Sequence, residues 1–329
     1  MRRRRRPTWA TLAAVLLSVV ASVGACGGDD DDDDAGDEGA SGQLAEAYDL
    51  SGATFTVGSK EFTEQLILGH ITRLALEAAG ADVEDEIGLE GSNVAREALL
   101  SGEIDMYWEY TGTGWITHLG ETEPIPDSTE QYEAVASRDL EENGIKWLEP
   151  APFNNTYALA VRSGAVEELG VRTLSDLGGL IEDEPAEATL CVGAEFSARD
   201  DGLPGLEQHY GYEFPPDGIA QVQDAIVYSQ VDQGEVCNFG SVFSTDGRIV
   251  GLDLFLLDDD KNFFPKFNPS LTVRAEVFDE HPDLAEMFAE IAPALDEAVM
   301  TGLNAEVDVD GELPEDVARQ WLQEEGLIG

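Results

Sequence analysis

From residue 54 onward, short apolar runs alternate with segments of helical period. Thr54–Val57 reads as a strand ending at Gly58-Ser59-Lys60. Glu61–Ala79 then carries Leu66, Ile67, Ile71, Leu74, Ala75 and Ala78 at helical spacing and stops at Gly80. The unit repeats: Val83–Leu89 is strand-like, Ser92 caps a helix through Leu100 that closes at Gly102, and Ile104–Trp108 is a third strand. Further along, the pattern predicts helices at Glu130–Asn143, from Thr173, and over Gly218–Gln233. Strands are predicted at Tyr157–Arg162, Ala188–Gly193, Glu235–Gly240, Leu252–Leu257 and Leu271–Arg274. Pro282–Gly302 and Pro314–Glu325 read as helices with little strand signal between them. Two α/β domains with a helical tail fit this order.

The chain begins differently. Arg2–Arg6, an apolar run from Trp9 to Val23 and the sequence Val23-Gly24-Ala25-Cys26 have the form of an export signal over residues 1–25. The apolar run is too short for a comfortable membrane span. The final cysteine resembles the lipobox of bacterial lipoproteins, which implies cleavage before Cys26, a lipid on its sulfur and a chain tethered to the outer face of the cell membrane. Residues 26–49, with the aspartate run Asp29–Asp34, hold nothing to bury and are expected to be an acidic disordered linker. Consecutive aspartates without turn residues cannot wrap an ion as a calcium loop does, so no metal is assigned to them.

Composition narrows the partners. With 18 Lys+Arg against 68 Asp+Glu the formal net charge is −50, and loss of the leader arginines makes the remainder more acidic still. Nucleic acid is therefore excluded as a partner. The acids are spread over many segments, and an acidic surface of this kind points to a saline habitat, where screening relieves self-repulsion and stability should depend on salt. Beside the lipid candidate, Cys191 and Cys237 form a candidate disulfide in an exported chain, with two buried free thiols in neighbouring strands as the alternative.

An enzyme is the natural rival class, yet the catalytic signposts are missing. His70, His118, His209 and His281 sit in no HExxH or nucleophile-elbow spacing, and no GxGxxG or phosphate-cradling loop occurs. No cofactor is called for. What stands out instead is "DMYWEYTGTGW", Asp105–Trp115, where tyrosines and tryptophans surround a glycine-rich turn whose backbone must approach something closely, either the core or a ligand. Trp108 and Trp115 are assigned to packing, and Tyr107 is unplaced.

That stretch belongs to an ordered set: "GSKEFTEQLILG" (58–69), "EYTGTG" (109–114), "FNNTYALAVR" (153–162), "DGLPGLEQHYG" (201–211), "FSTDGRI" (243–249) and "LDDDKNFFPKFNP" (257–269). Over nearly everything from Thr54 to the Leu284 region, the set resembles the substrate-binding proteins of ABC importers for compatible solutes, the glycine betaine/carnitine/choline type. The resemblance implies an α/β, two-lobed periplasmic-binding-protein fold of type II, with two crossing hinge strands and the ligand in the inter-lobe cleft. Lobe I would take residues 50–153 and 262–329, and lobe II residues 154–261, with crossings near Phe153–Ala158 and Asp258–Phe267. It also implies a monomeric receptor that performs no chemistry and hands a small-molecule osmolyte to a membrane permease.

A trimethylammonium group has no hydrogen to donate, and aromatic faces grip it at about 0.5–2 kcal/mol per ring. By the resemblance, the cage falls on Tyr110, Tyr157, Phe243 and Phe267, the last two replacing the usual tyrosine. The carboxylate of a betaine would meet Lys60, Arg199 and Thr113, with Asn155 helping through its backbone. Taken singly these residues have plainer readings: core packing for the rings, a solvated lysine for Lys60, a surface ion pair with Asp200 or Asp201 for Arg199. Glycine betaine or proline betaine is expected over choline, which would leave two cations facing no anion. Carnitine stays within the class. A receptor for another polar small molecule such as an amino acid, or a surface-anchored enzyme, is the alternative.

Overall fold

The structure, a computed structural model, describes residues 42–121 and 125–329. The export signal, Cys26 and the aspartate run lie outside the described residues. In chain order the strands are β1 (Thr54–Lys60), β2 (Asp82–Leu89), β3 (Met106–Tyr110), β4 (Ile145–Trp147), β5 (Tyr157–Arg162), β6 (Leu190–Val192), β7 (Ile219–Gln221), β8 (Phe239–Phe243), β9 (Leu254–Leu256) and β10 (Pro269–Arg274). They form two five-stranded sheets, ordered β2-β1-β3-β10-β4 and β7-β6-β8-β5-β9. In the first, β1 runs parallel to β2 and β3, and β10 returns antiparallel between β3 and β4. The second repeats the scheme: β6 is parallel to β7 and β8, while β5 lies antiparallel between β8 and β9.

Each sheet anchors one lobe. The first lobe's main core gathers Phe55, Ile67, Trp108 and Phe288 with the C-terminal helix residues Trp321 and Leu322. The second lobe buries residues on both faces of its sheet: Leu159, Leu190 and Phe239 on one side, Ala160, Cys191 and Val227 on the other. Cys191 in β6 and Cys237 just before β8 are joined as a disulfide. The chain passes between the lobes at 148–156 and again at 257–268, and the two passages are bonded to each other. Asn155 N–H donates to the Phe267 carbonyl at 3.2 Å, and Phe267 N–H donates to Asn154 Oδ1 at 2.7 Å. Such paired segments are where hinge rotation of two rigid lobes is absorbed.

Four local expectations change. Gln43–Ala47 is a helix with Leu44 buried, and Gln43 and Leu44 donate backbone hydrogen bonds to Gly326 and Leu327, so folded chain begins inside the segment read as linker. One leucine with a docking site is enough to order five residues that look featureless alone. Gly218–Gln233 divides into β7 and a helix Asp224–Gln233. Pro282–Gly302 breaks at Pro293 into helices Leu284–Ile291 and Glu297–Asp308, the second capped by Asp296. Ser92 opens its helix, with Gly91 as the cap residue, because the Ser92 N–H is bound by a carboxylate of the other lobe.

The glycine-rich turn after β3 faces protein. A Cβ on Gly112 would stand 2.7 Å from Phe267 Cε1 and 2.8 Å from the Lys266 carbonyl, so this glycine lets the second passage press against the end of β3. Gly114 lies under the Trp147 ring, 2.7 Å from where its Cβ would be. The permissive backbone therefore sets the position of Phe267 and of the first-lobe core.

Candidate functional site

A cleft of about 30 Å³ lies between the lobes, lined by Lys60, Phe62, Ser92, Tyr110, Thr113, Asn155, Tyr157, Glu195, Arg199, Phe243 and Phe267. Lys60 and Tyr110 come from the ends of β1 and β3, Thr113 from the turn beyond β3. Tyr157 and Phe243 sit opposite each other in register on β5 and β8, and Asn155 and Phe267 ride the two inter-lobe passages. All eight residues singled out in the sequence thus stand around one cavity.

The rings form a curved wall. Tyr157 and Phe243 stack with centroids 5.3 Å apart, Phe267 meets Tyr157 edge-on at 5.8 Å, and Phe62 stacks on Phe243 at 5.0 Å and on Tyr110 at 6.1 Å. Phe62 is a fifth ring and a bridge, since it belongs to the first lobe and Phe243 to the second. Offset-stacked and edge-on pairs at these distances are the favourable ones for quadrupolar rings.

The cations are not free. Lys60 Nζ donates to Glu109 Oε1 at 2.7 Å, and both side chains are buried. Glu109 also accepts from the Tyr107 hydroxyl at 2.8 Å and lies 2.8 Å from His118 Nε2, which places Tyr107 and shows why an acid sits among those aromatics. Burial alone would raise the Glu109 pKa, but the charge of Lys60 and the contact with His118 hold it well below the usual carboxylate range. Arg199 donates Nε and Nη2 to Asp201 at 2.7 and 2.5 Å and Nη1 to Glu195 at 3.2 Å, with Thr113 Oγ1 at 3.4 Å. Arg199 is largely buried, so the pair with Asp201 belongs to the site and is no surface contact.

This corrects the argument against choline: Lys60 and Arg199 already face carboxylates, so a ligand without an anion leaves neither uncompensated. Donors nonetheless remain. An ammonium has three N–H groups and Lys60 uses one on Glu109, a guanidinium has five and Arg199 commits four, and the Thr113 hydroxyl adds another. The acids hold these donors in place.

Three lining residues escaped the sequence reading. Phe62 looked like an ordinary helix-start residue, and Ser92 like a cap. Glu195 was one acid among many, though its place four residues before Arg199 on a short helix was a usable signal. Glu195 binds Ser92 across the cleft, accepting from its N–H at 2.6 Å and its hydroxyl at 3.1 Å. Burial pushes Glu195 up, but the Lys60 and Arg199 charges and the Ser92 hydrogen bonds bring it below its usual value. Behind the rings, the buried Glu64 accepts from Tyr110, Asn155, Thr245 and Asn304 at 2.6–3.1 Å, joining the lobes through Thr245. Burial still raises its pKa against those four bonds.

Two lobes on separate sheets, joined by paired passages and closing on a small aromatic and polar cleft, define a solute-binding receptor. Residues 53–324 match the family of substrate-binding domains of ABC-type glycine betaine transport systems, and the chain belongs to that family. It is 40% identical over 280 residues to the glycine-betaine-binding protein of Pseudomonas aeruginosa, covering 84% of this chain and 89% of the relative. The apo structure of YehZ from Escherichia coli superposes with a TM-score of 0.62 at 32% identity, covering 83% of this chain and 99% of that one. A crystal structure described as a glycine betaine/carnitine/choline ABC transporter gives a TM-score of 0.67 at 26% identity, over 82% and 98% of the two chains. The protein is thus an extracytoplasmic solute-binding component of an ABC importer, works with a permease and is not an enzyme. Among the described residues, no helix is long and apolar enough to cross a membrane.

Proposed function

We propose that the solute is a carboxylate-bearing quaternary ammonium compound, glycine betaine or proline betaine, taken up for osmoprotection. The methylated cation would sit among Tyr110, Tyr157, Phe243 and Phe267, and the carboxylate would take the spare donors of Lys60, Arg199 and Thr113. Asn155 has its N–H committed to Phe267, so its backbone keeps no donor for the carboxylate and its carbonyl can only face the methylated cation. The observation that carries this reading is the convergence of rings and fixed donors, drawn from residue 60 to residue 267, on one cleft. Caging supplies about 0.5–2 kcal/mol per ring, and buried donors left without an acceptor penalise any ligand lacking one.

Glu195 supports a second reading. It adds a carboxylate to a cleft whose two cations are already neutralised, which favours a plain cation such as choline. Calorimetry with glycine betaine, proline betaine, choline, carnitine and proline decides: the betaines should bind at least about tenfold tighter than choline, a gap of about 1.4 kcal/mol. Choline binding equal to or tighter than the betaines would hand the site to the second reading, and equal heats for all five would remove both.

For location, the leader and Cys26 support a diacylglyceryl anchor on the extracytoplasmic face, with the receptor working as a monomer. The mass of the membrane-extracted protein should carry the lipid at Cys26, and an unmodified residue 26 would remove the anchor.

A further inference from the structure

Next to the solute cleft, bordered by Phe62 and Phe243, lies a second inter-lobe chamber of about 10 Å³ whose chemistry the aromatic site does not use. Thr63, Glu64, Asn304 and Asp308 line it from the first lobe, and Thr245 and Asp246 from the second. Asn155, on the passage between lobes, lines both spaces.

The polar bookkeeping of this chamber is lopsided. The amide nitrogens of Asn155 and Asn304 both point at Glu64, at 2.8 and 3.1 Å, and Asn304 also donates to the Thr245 carbonyl at 3.0 Å. These bonds fix which end of each amide is which. They leave Asn155 Oδ1 and Asn304 Oδ1 buried without a hydrogen-bond partner. Asp308 Oδ2 is in the same state, with only Arg248 Nε at 3.7 Å, while its other oxygen accepts from Thr63 at 2.6 Å. Both asparagines are more than nine-tenths buried. Three buried oxygens thus lack a hydrogen-bond donor.

Charge points the same way. Asp246 and Asp308 face one guanidinium, Arg248, which is committed at 2.5 and 2.9 Å to Asp246. Asp246 and Asp308 alone outnumber it. A buried excess of negative charge beside unpaired oxygens is costly unless something positive joins it.

We infer that the chamber binds a hard monovalent cation, sodium, through Asn155 Oδ1, Asn304 Oδ1 and Asp308 Oδ2. The donor set is oxygen only, as a hard ion requires, and just one of the three carries charge, too little for the carboxylate-rich cages that hold calcium. Because the ligands come from the first lobe and the hinge passage, while Thr245 and Asp246 of the second lobe close the chamber, the ion favours the closed arrangement. Linkage then makes sodium and solute bind cooperatively.

The test replaces sodium chloride stepwise by N-methyl-D-glucamine chloride at fixed ionic strength and follows the thermal midpoint of the solute-free, full-length protein. A saturable rise with sodium is expected, absent or shifted to at least about tenfold higher sodium in Asp308→Asn. A midpoint indifferent to which cation is present would overturn the site, and an undiminished response in Asp308→Asn would place the ion elsewhere. Should that variant not fold, the wild-type titration decides alone. Calorimetry under the same exchange should show solute affinity improving about fivefold or more with sodium. The solute-free measurement does not depend on which solute the cleft takes, so failure of one reading leaves the other standing.

Discussion

The ionic and aromatic halves of the cleft are assembled in opposite ways. Each cation has a counter-ion inside its own lobe: Lys60 on β1 reaches Glu109 on β3, and Arg199 reaches Asp201 two residues along. The aromatic wall is continuous only across the gap, through the Phe62–Phe243 stack. Donors for an anion are therefore in place in each separate lobe, whereas the cage for a cation is completed by closure. A receptor built this way holds costly buried charge in fixed, paired form and leaves adaptable apolar contact to report that a ligand is present.

The strongest way to break that contrast is Lys60→Met. If the ionic half is part of the first lobe's fold, the variant leaves Glu109 buried without its ammonium and destabilises the solute-free protein by about 3–5 kcal/mol. Urea unfolding measures this, and a loss below about 1 kcal/mol would mean the lysine serves the ligand and not the lobe.

Phe62→Ala probes the other half. Phe62 is half-buried and stacks on rings of both lobes, so removing it should leave the unfolding midpoint of the solute-free protein nearly unchanged. Solute affinity should fall by about tenfold, in line with about 0.5–1.5 kcal/mol for an aromatic pair. Equal effects on folding and on binding would erase the distinction between the halves.

How much of this was legible from the chain follows the same divide. The strand-helix alternation was readable because each strand carries a compact apolar run, as in Met106–Tyr110, and several helices stop at a glycine, as at Gly102 and Gly144. The rings and donors of the cleft could be placed through ordered loop motifs. Short elements whose order comes from tertiary contact could not: three-residue β7 lay hidden in a helix-like stretch, and Gln43–Ala47 is held by Leu44 docking on a C-terminal segment far away in sequence. The counter-ions were only partly visible. Their spacing from Arg199 marked Asp201 and Glu195 as ion-pair candidates, but what makes them part of the site is desolvation beside Arg199, a property of the folded lobe.

The finest test concerns an exception to the rule that charge is settled within a lobe. Asp224 of the second lobe lies against Gly193, and its carboxyl is pushed up to about 6 by burial, with the charges of Glu195 and of Glu61 from the first lobe adding to the shift. A carboxyl with a raised pKa holds its proton more tightly in the folded than in the unfolded chain. The folded state is thus favoured while Asp224 is protonated and loses that advantage as pH climbs from its ordinary value of 3.8 to about 6, with no further change above. Asp224→Asn has no such proton to lose. The difference in thermal midpoint, wild type minus Asp224→Asn, should therefore fall across that window and then level off. Because part of the shift comes from Glu61 across the cleft, Glu61→Gln should narrow the window from its upper end. If Glu61→Gln leaves the profile untouched, repulsion at Asp224 is internal to the second lobe, and the pull of Lys60 on Glu195 is what charge acting across the cleft amounts to.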